Sequence, residues 1–199
     1  DAQLQTTTSL NGDAQAYLGQ ATQVDKLLSD SGTGITKTLQ SFFSSLQTLS
    51  ANSNDNAARQ ALLTNAQGLS SRFNAISQQL TQQNTYINDQ LGSMAEQVNK
   101  LASTVAAYNK RISEVSSSSG TPNELLDQRN ETIRQLNELV GTQVTETEGR
   151  LDIYLGSGQP LVVGDTVNKL RVAADPSDPT RSSIIMDRGS SSIDITSVM

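Results

Sequence analysis

Leu10, Ala14, Tyr17, Ala21, Val24 and Leu28 follow one another at steps of four and three residues, the rhythm of a helix with one narrow apolar seam. The spacing predicts a first helix over about 10–30. Ser31-Gly32-Thr33-Gly34 interrupts it, and the rhythm resumes at Ile35, Leu39, Phe42, Leu46 and Leu49, with Phe43 widening the stripe. This predicts a second helix over 35–51. Ser53-Asn54-Asp55-Asn56 supplies side-chain oxygens for capping, and Ala57-Ala58-Arg59-Gln60-Ala61-Leu62-Leu63 continues with strong helix formers.

The third seam runs through Leu62, Leu69, Phe73, Ile76, Leu80, Gln83, Ile87, Leu91, Met94, Val98, Leu101, Val105, Tyr108, Ile112 and Val115 without a proline. It predicts one continuous helix over 56–115, about 85 Å long at about 1.5 Å per residue, and therefore a rod. Two steps of four fall together around Ile87–Leu91, an insertion that locally unwinds a left-handed supercoil. A change of packing partner is expected there, with Gly92 beside it as the place for a bend.

Ser116 to Gly120 is a low-complexity break. Thr121-Pro122-Asn123-Glu124 then reads as an N-cap, a proline in the first turn and a capping-box glutamate, and Gly141 stands where a left-handed C-cap residue belongs. A fourth helix is predicted over 122–140, with Leu126, Ile133, Leu136 and Val140 as its apolar face. Beyond Gly141 the period falls to two at Leu151, Ile153 and Leu155, followed by a Gly156-Ser157-Gly158 turn. Leu161–Val163, Leu170–Val172, Ile184–Met186 and Ile193–Ile195 continue as short strands. The fold class is α+β, mainly α: an elongated antiparallel helical bundle with one very long helix, followed by a small antiparallel β unit. The expected domains are a helical rod over 1–141 and a small β-hairpin unit over 142–199, packed on the end of the same domain.

Composition sharpens this picture. Of the 199 residues 35% are hydrophobic and 4% aromatic, and Ser, Thr, Asn and Gln make up roughly two-fifths, too polar for one large core. Narrow seams need only about two apolar positions in seven, so a helical rod remains compatible. Cys, His and Trp are absent, which removes disulfides, thiolate chemistry and the usual general base near neutral pH. A net charge of -6 with scattered Lys and Arg leaves no basic stripe for nucleic acid. No apolar run approaches the roughly 18 residues that span a bilayer, so neither a membrane nor nucleic acid is an expected partner. The chain lacks an initiator Met and ends mid-pattern, which suggests a piece of something longer.

Candidate chemistry is sparse. Glu146, Glu148 and Asp152 are the nearest approach to a carboxylate pair, but exposed strand positions also carry solubilising charge. Asp175-Pro176-Ser177-Asp178-Pro179 lacks the ligand positions of a calcium loop and reads as a fixed turn. Tyr17, Phe42, Phe73 and Tyr108 fall on helix seams and are expected in the core. No catalytic, cofactor or metal residue is assigned. Arg129 stands in a dense cluster, Asn123-Glu124-Leu125-Leu126-Asp127-Gln128-Arg129-Asn130-Glu131, where it either pairs locally with Asp127 or Glu131 or ties its helix to the long one.

Leu39-Gln40-Ser41-Phe42-Phe43-Ser44-Ser45-Leu46-Gln47-Thr48-Leu49, Ala57-Ala58-Arg59-Gln60-Ala61-Leu62-Leu63 and Asn123-Glu124-Leu125-Leu126-Asp127-Gln128-Arg129 occur in this order. Together they resemble the flagellar hook-associated protein 1 family, which carries FF-x-x-L-Q-x-L, A-A-R-Q-x-L-L and N-x-L-L-D-x-R-D segments. The likeness covers most of residues 10 to 175. Two departures are Asn130 in place of Asp, and Asn52–Asn56 in place of a proline-containing stretch. Phe42, Phe43, Arg59, Asn123, Leu126, Asp127 and Arg129 are the structural motif residues the resemblance marks.

The resemblance implies a structural, non-enzymatic protein of the bacterial flagellum, exported by the flagellar type III apparatus, that forms the junction ring between hook and filament. It implies no cofactor. Its partners would be copies of itself, the hook protein and a second junction protein, with an export chaperone bound near a C-terminus absent from this stretch. An absent C-terminal helix would leave part of a seam open to pairing with another copy. Another type III-secreted rod or axial protein, such as a flagellin-like or translocator subunit, is the alternative, and a carboxylate hydrolase the most remote.

Overall fold

Asp55 closes the turn between two helices: its Oδ1 accepts the Ala57 N–H at 2.8 Å, satisfying a donor that a helix start leaves open. Across the same turn Arg59 Nη2 donates to the Ser53 carbonyl at 2.7 Å. Before the turn runs α1, Ile35–Ala51; after it runs α2, Asn56–Ser117, unbroken over 62 residues. The computed structural model describes residues 18, 19, 22, 25, 35–118, 122–147, 149–156, 158–178 and 181–197. The helix expected over 10–30 lies almost wholly outside them.

Two compact units divide between Thr85 and Tyr86, inside α2. The division falls beside the doubled four-residue step and not at the helix-to-strand junction near residue 141. The reason lies in burial: the strands and the C-terminal half of α2 share one core, so the β residues flank the long helix along its side.

In the unit Leu10–Thr85, α1 doubles back on α2, and Asn65 Nδ2 donates to the Ser41 carbonyl at 3.3 Å. Ala58 and Ile76 are its buried apolar residues among those described. Phe42 is half-buried and meets the Phe43 ring edge-on at 5.5 Å. Phe73, expected in the core, is 53% exposed.

In the unit Tyr86–Met199, α3 spans Asn123–Leu139. Its N-cap is Pro122, with no side-chain capping bond. The Pro122 carbonyl accepts the first helical bond from Leu126 N–H at 3.0 Å, and Thr121, the cap expected from sequence, lies outside the described residues. Gly141 is not a left-handed cap either. Val140 leaves the helix extended, at φ -145 and ψ 139, while Asn137 Oδ1 accepts both the Thr142 N–H and its hydroxyl at 3.0 and 3.1 Å. That side chain steers the chain directly into a strand, and no glycine turn is needed.

Seven strands follow: β1 Thr142–Thr147, β2 Arg150–Leu155, β3 Gln159–Val163, β4 Thr166–Val167, β5 Lys169–Ala174, β6 Ser182–Arg188 and β7 Ser191–Asp194. They form two antiparallel meanders, β1-β2-β3-β4 and β5-β6-β7. β1 and β4 escape the apolar alternation because neither carries a fully buried side chain. Ala95, Val98, Ala102, Val105 and Ala106 of α2 pack with Leu136 of α3 and with Ile153, Leu161, Leu170 and Met186 of the sheets. Small side chains on α2 let both sheets lie close to its axis. The fold is α+β and mainly helical, with one very long helix followed by antiparallel sheets.

Leu136 is fully buried at the centre of this core, so Leu136→Ala is expected to cost about 2–5 kcal/mol in urea unfolding. On the solvent face of α3, Arg134 bonds Glu131 at 2.7 Å and also pairs with Glu138. The Arg134 hydrogen bonds hold the Glu131 carboxyl down to about 2. A lowered folded-state value means the pair acts above the carboxylate's ordinary range and is lost as pH falls toward about 2. An NMR titration of Glu131 should show that midpoint, and Arg134→Gln should return it to the ordinary carboxylate range.

Candidate functional site

Asn109 is a polar residue on an apolar stripe, four residues after Val105 and three before Ile112. It is fully buried. Its Nδ2 donates to the carbonyls of Leu151 and Gly164 at 2.8 and 2.7 Å, and its Oδ1 accepts from Leu151 N–H at 3.2 Å and Arg129 Nη1 at 3.0 Å. Both donors and both lone pairs are engaged, the full capacity of an amide. Arg129 Nη1 also donates to the Gly149 carbonyl at 3.2 Å. Gly149 and Gly164 sit in hairpin turns at φ 77 and φ 59, a backbone region open to glycine, and there they aim their carbonyls at the anchor.

Arg129 is 4% exposed. Burial pushes its guanidinium below the ordinary value, and the nearby Glu146 carboxylate opposes that push. Its bonds run to α2 and to the β1–β2 turn, neither to Asp127 nor to Glu131. Asp127 and Asn123 are exposed on α3, Leu126 is half-buried, and Arg59 closes the α1–α2 turn. The motif residues of α3 belong to one unit, and Phe42, Phe43 and Arg59 to the other.

Two more asparagines repeat the device. Asn99 exchanges bonds with Leu170, Nδ2 to carbonyl and N–H to Oδ1, both at 2.7 Å. Asn88 Oδ1 accepts the Ser182 hydroxyl at 2.6 Å. Sequence reasoning missed all three; the available signal was a polar residue recurring on the stripe at intervals of eleven and ten residues.

Glu148 lies outside the described residues, and Glu146 and Asp152 do not form an acid/base pair. Asp152 stands opposite Thr145 and Glu146 opposite Leu151, so the two side chains leave opposite faces of the sheet. Asp152 Oδ1 accepts the Gly164 N–H at 2.7 Å, a turn-closing bond. Among the described residues no group of three or more acidic side chains is placed to hold a metal ion, and no helix is long and apolar enough to cross a membrane.

Several large apolar side chains remain exposed. Phe43, Leu63, Phe73 and Leu80 are 57%, 57%, 53% and 43% exposed on α1 and the N-terminal half of α2. An open hollow beside Phe43 is lined by Thr36, Leu39, Gln40, Ser44 and Gln47, all from α1.

The profile of the family "Flagellar hook-associated protein FlgK helical domain" matches residues 21–199. This chain belongs to that family. It is 37% identical over 180 residues to flagellar hook-associated protein 1 of Salmonella typhimurium, covering 88% of this chain and 32% of that protein. The protein of the same name from Escherichia coli is 34% identical over 185 residues, covering 92% of this chain and 34% of its own length. The solved structure of the flagellar hook junction protein FlgK from Burkholderia pseudomallei superposes with a TM-score of 0.83 at 34% identity, over 96% of this chain and 34% of that one. The chain thus spans about a third of the relatives it matches.

Removing the Asn109 amide strands the Leu151 N–H and carbonyl, the Gly164 carbonyl and the buried Arg129 charge together. Asn109→Ala is expected to lose about 3–5 kcal/mol in denaturant unfolding, at the upper end for a single buried polar group. A double-mutant cycle with Arg129→Ala should show strong non-additivity, since each residue's loss exposes the other's.

Proposed function

We propose that the protein is a structural, non-enzymatic component of the bacterial flagellum that serves in the junction ring between hook and filament. The observation that carries this reading is the exposed apolar set Phe43, Leu63, Phe73 and Leu80 on a chain of the FlgK helical-domain family. Large apolar side chains set at helical spacing yet open to water suit a strut that works by packing against other helices. Their partners in this reading are neighbouring copies, the hook protein and a second junction protein. The buried motif residue Arg129 serves the fold, and the exposed Phe43 serves contact.

Placement follows from the same reading. The protein acts outside the cell, reaches its site through the flagellar type III apparatus, and is escorted by a chaperone that binds beyond this stretch. A chain without Cys suits passage in an unfolded state, since no stray crosslink can form.

Deleting the parent gene should leave hooks intact and remove attached filaments, with wild-type protein restoring them. The parent protein carrying Phe73→Asp should fold with unchanged helix content yet restore few or none, because a carboxylate on the packing face opposes helix contact. Normal filaments in the deletion strain would sink the proposal.

A further inference from the structure

Helix α2 is held unevenly along its length. Val98, Ala102, Val105, Ala106, Asn109 and Ile112 are all buried over about four turns. Between Asn56 and Met94 only Ala58 and Ile76 are buried. From Ser77 to Met94, about five turns, every residue keeps contact with solvent.

A helical stretch without buried packing is marginal in water even when its residues favour helix, and these do not. Thr81, Asn84, Thr85, Asn88, Asp89 and Gly92 are all poor helix formers. No charged residue occurs between Arg72 and Asp89, so no i,i+4 ion pair supports that stretch. The Thr81 and Thr85 hydroxyls donate to the Ser77 and Thr81 carbonyls at 2.9 and 3.1 Å, a back-bond that weakens the helical ladder. A Cβ at Gly68 or Gly92 would meet nothing within 4 Å. Packing therefore asks for glycine at neither place, and in a helix interior it is the least favourable residue after proline. Past Ala95 the balance reverses. Asn99 exchanges two bonds of 2.7 Å with Leu170, and Asn109 holds the Leu151 and Gly164 backbone.

We propose that α2 is shared by two separately cooperative folding units. The first is the hairpin of α1 with the start of α2; the second is the spine from Ala95 onward with α3 and both sheets. The hairpin unfolds first, its ladder unravelling through 77–94 and halting at Val98 and Asn99. The physical reason is what each broken bond leaves behind. Backbone groups released in the exposed stretch pass to water, whereas unwinding at Asn99 or Asn109 strands buried groups of two strands without partners. Helix α1 can thus leave α2 and return while the sheets stay in place.

Urea titration of the chain, followed by amide NMR, tests this with Ile76 and Val105 as reporters of the two units. The native Ile76 signal is expected to fade at a lower urea concentration than that of Val105. In native buffer the amides over 81–92 should exchange at least about tenfold faster than those over 98–109. Gly68→Ala should raise the Ile76 midpoint and leave that of Val105 unchanged, and Gly92→Ala should slow exchange over 81–92. One midpoint shared by Ile76 and Val105 overturns the proposal. So does a Gly68→Ala shift of equal size at both reporters, and so do equal exchange rates in the two stretches.

Discussion

Asn109 has four hydrogen-bonding positions and uses every one, and through them the long helix, α3 and the first sheet are held in one register. A fully satisfied amide in an apolar core specifies arrangement more sharply than packing does, because a slip of one residue leaves several polar groups dry at once. Apolar contacts between Val98, Ala102, Val105 and the sheets supply the bulk of the burial. They would tolerate small displacements; the Asn109–Arg129 pair does not. Arg129 adds the charge-assisted arm that fixes the β1–β2 turn through Gly149.

The same helix is used in two ways along its length. Up to Thr85 it pairs with α1 in a helical hairpin, and from Tyr86 onward it serves as the spine against which two sheets are laid. Ala95, Val98, Ala102, Val105 and Ala106 form the buried face of the second stretch. Polar Asn88, Asn99 and Asn109 then supply hydrogen bonds where strand edges reach the spine.

Helices were legible from sequence because their signal is periodic: the seams from Ile35 and from Leu62 predicted α1 and α2 to within about two residues. β2, β3, β5 and β6 were legible from alternation or short apolar runs. β1 was not, since Thr142–Thr147 buries nothing and its pairing is dictated by β2. The caps of α3 were misread because Pro122 and Asn137 do work that local rules assign to Thr121 and Gly141. At the polar anchor, Arg129 stood out in its charged cluster, with local pairing or a tie to the long helix left open, whereas Asn109 passed unnoticed. Its partners are backbone groups 42 and 55 residues away, which carry no side-chain signature.

Reliance on asparagine amides has a chemical side. Loss of ammonia from Asn109 would replace two donors by a carboxylate facing the Leu151 and Gly164 carbonyls, turning a clasp into a repulsion. That reaction requires the following backbone nitrogen to swing onto the side-chain carbon. Asn88, Asn99 and Asn109 all lie inside an unbroken helix and are followed by Asp89, Lys100 and Lys110, none a glycine. Holding these three amides on the spine instead of in the hairpin turns thus places them where the backbone has least freedom to damage them.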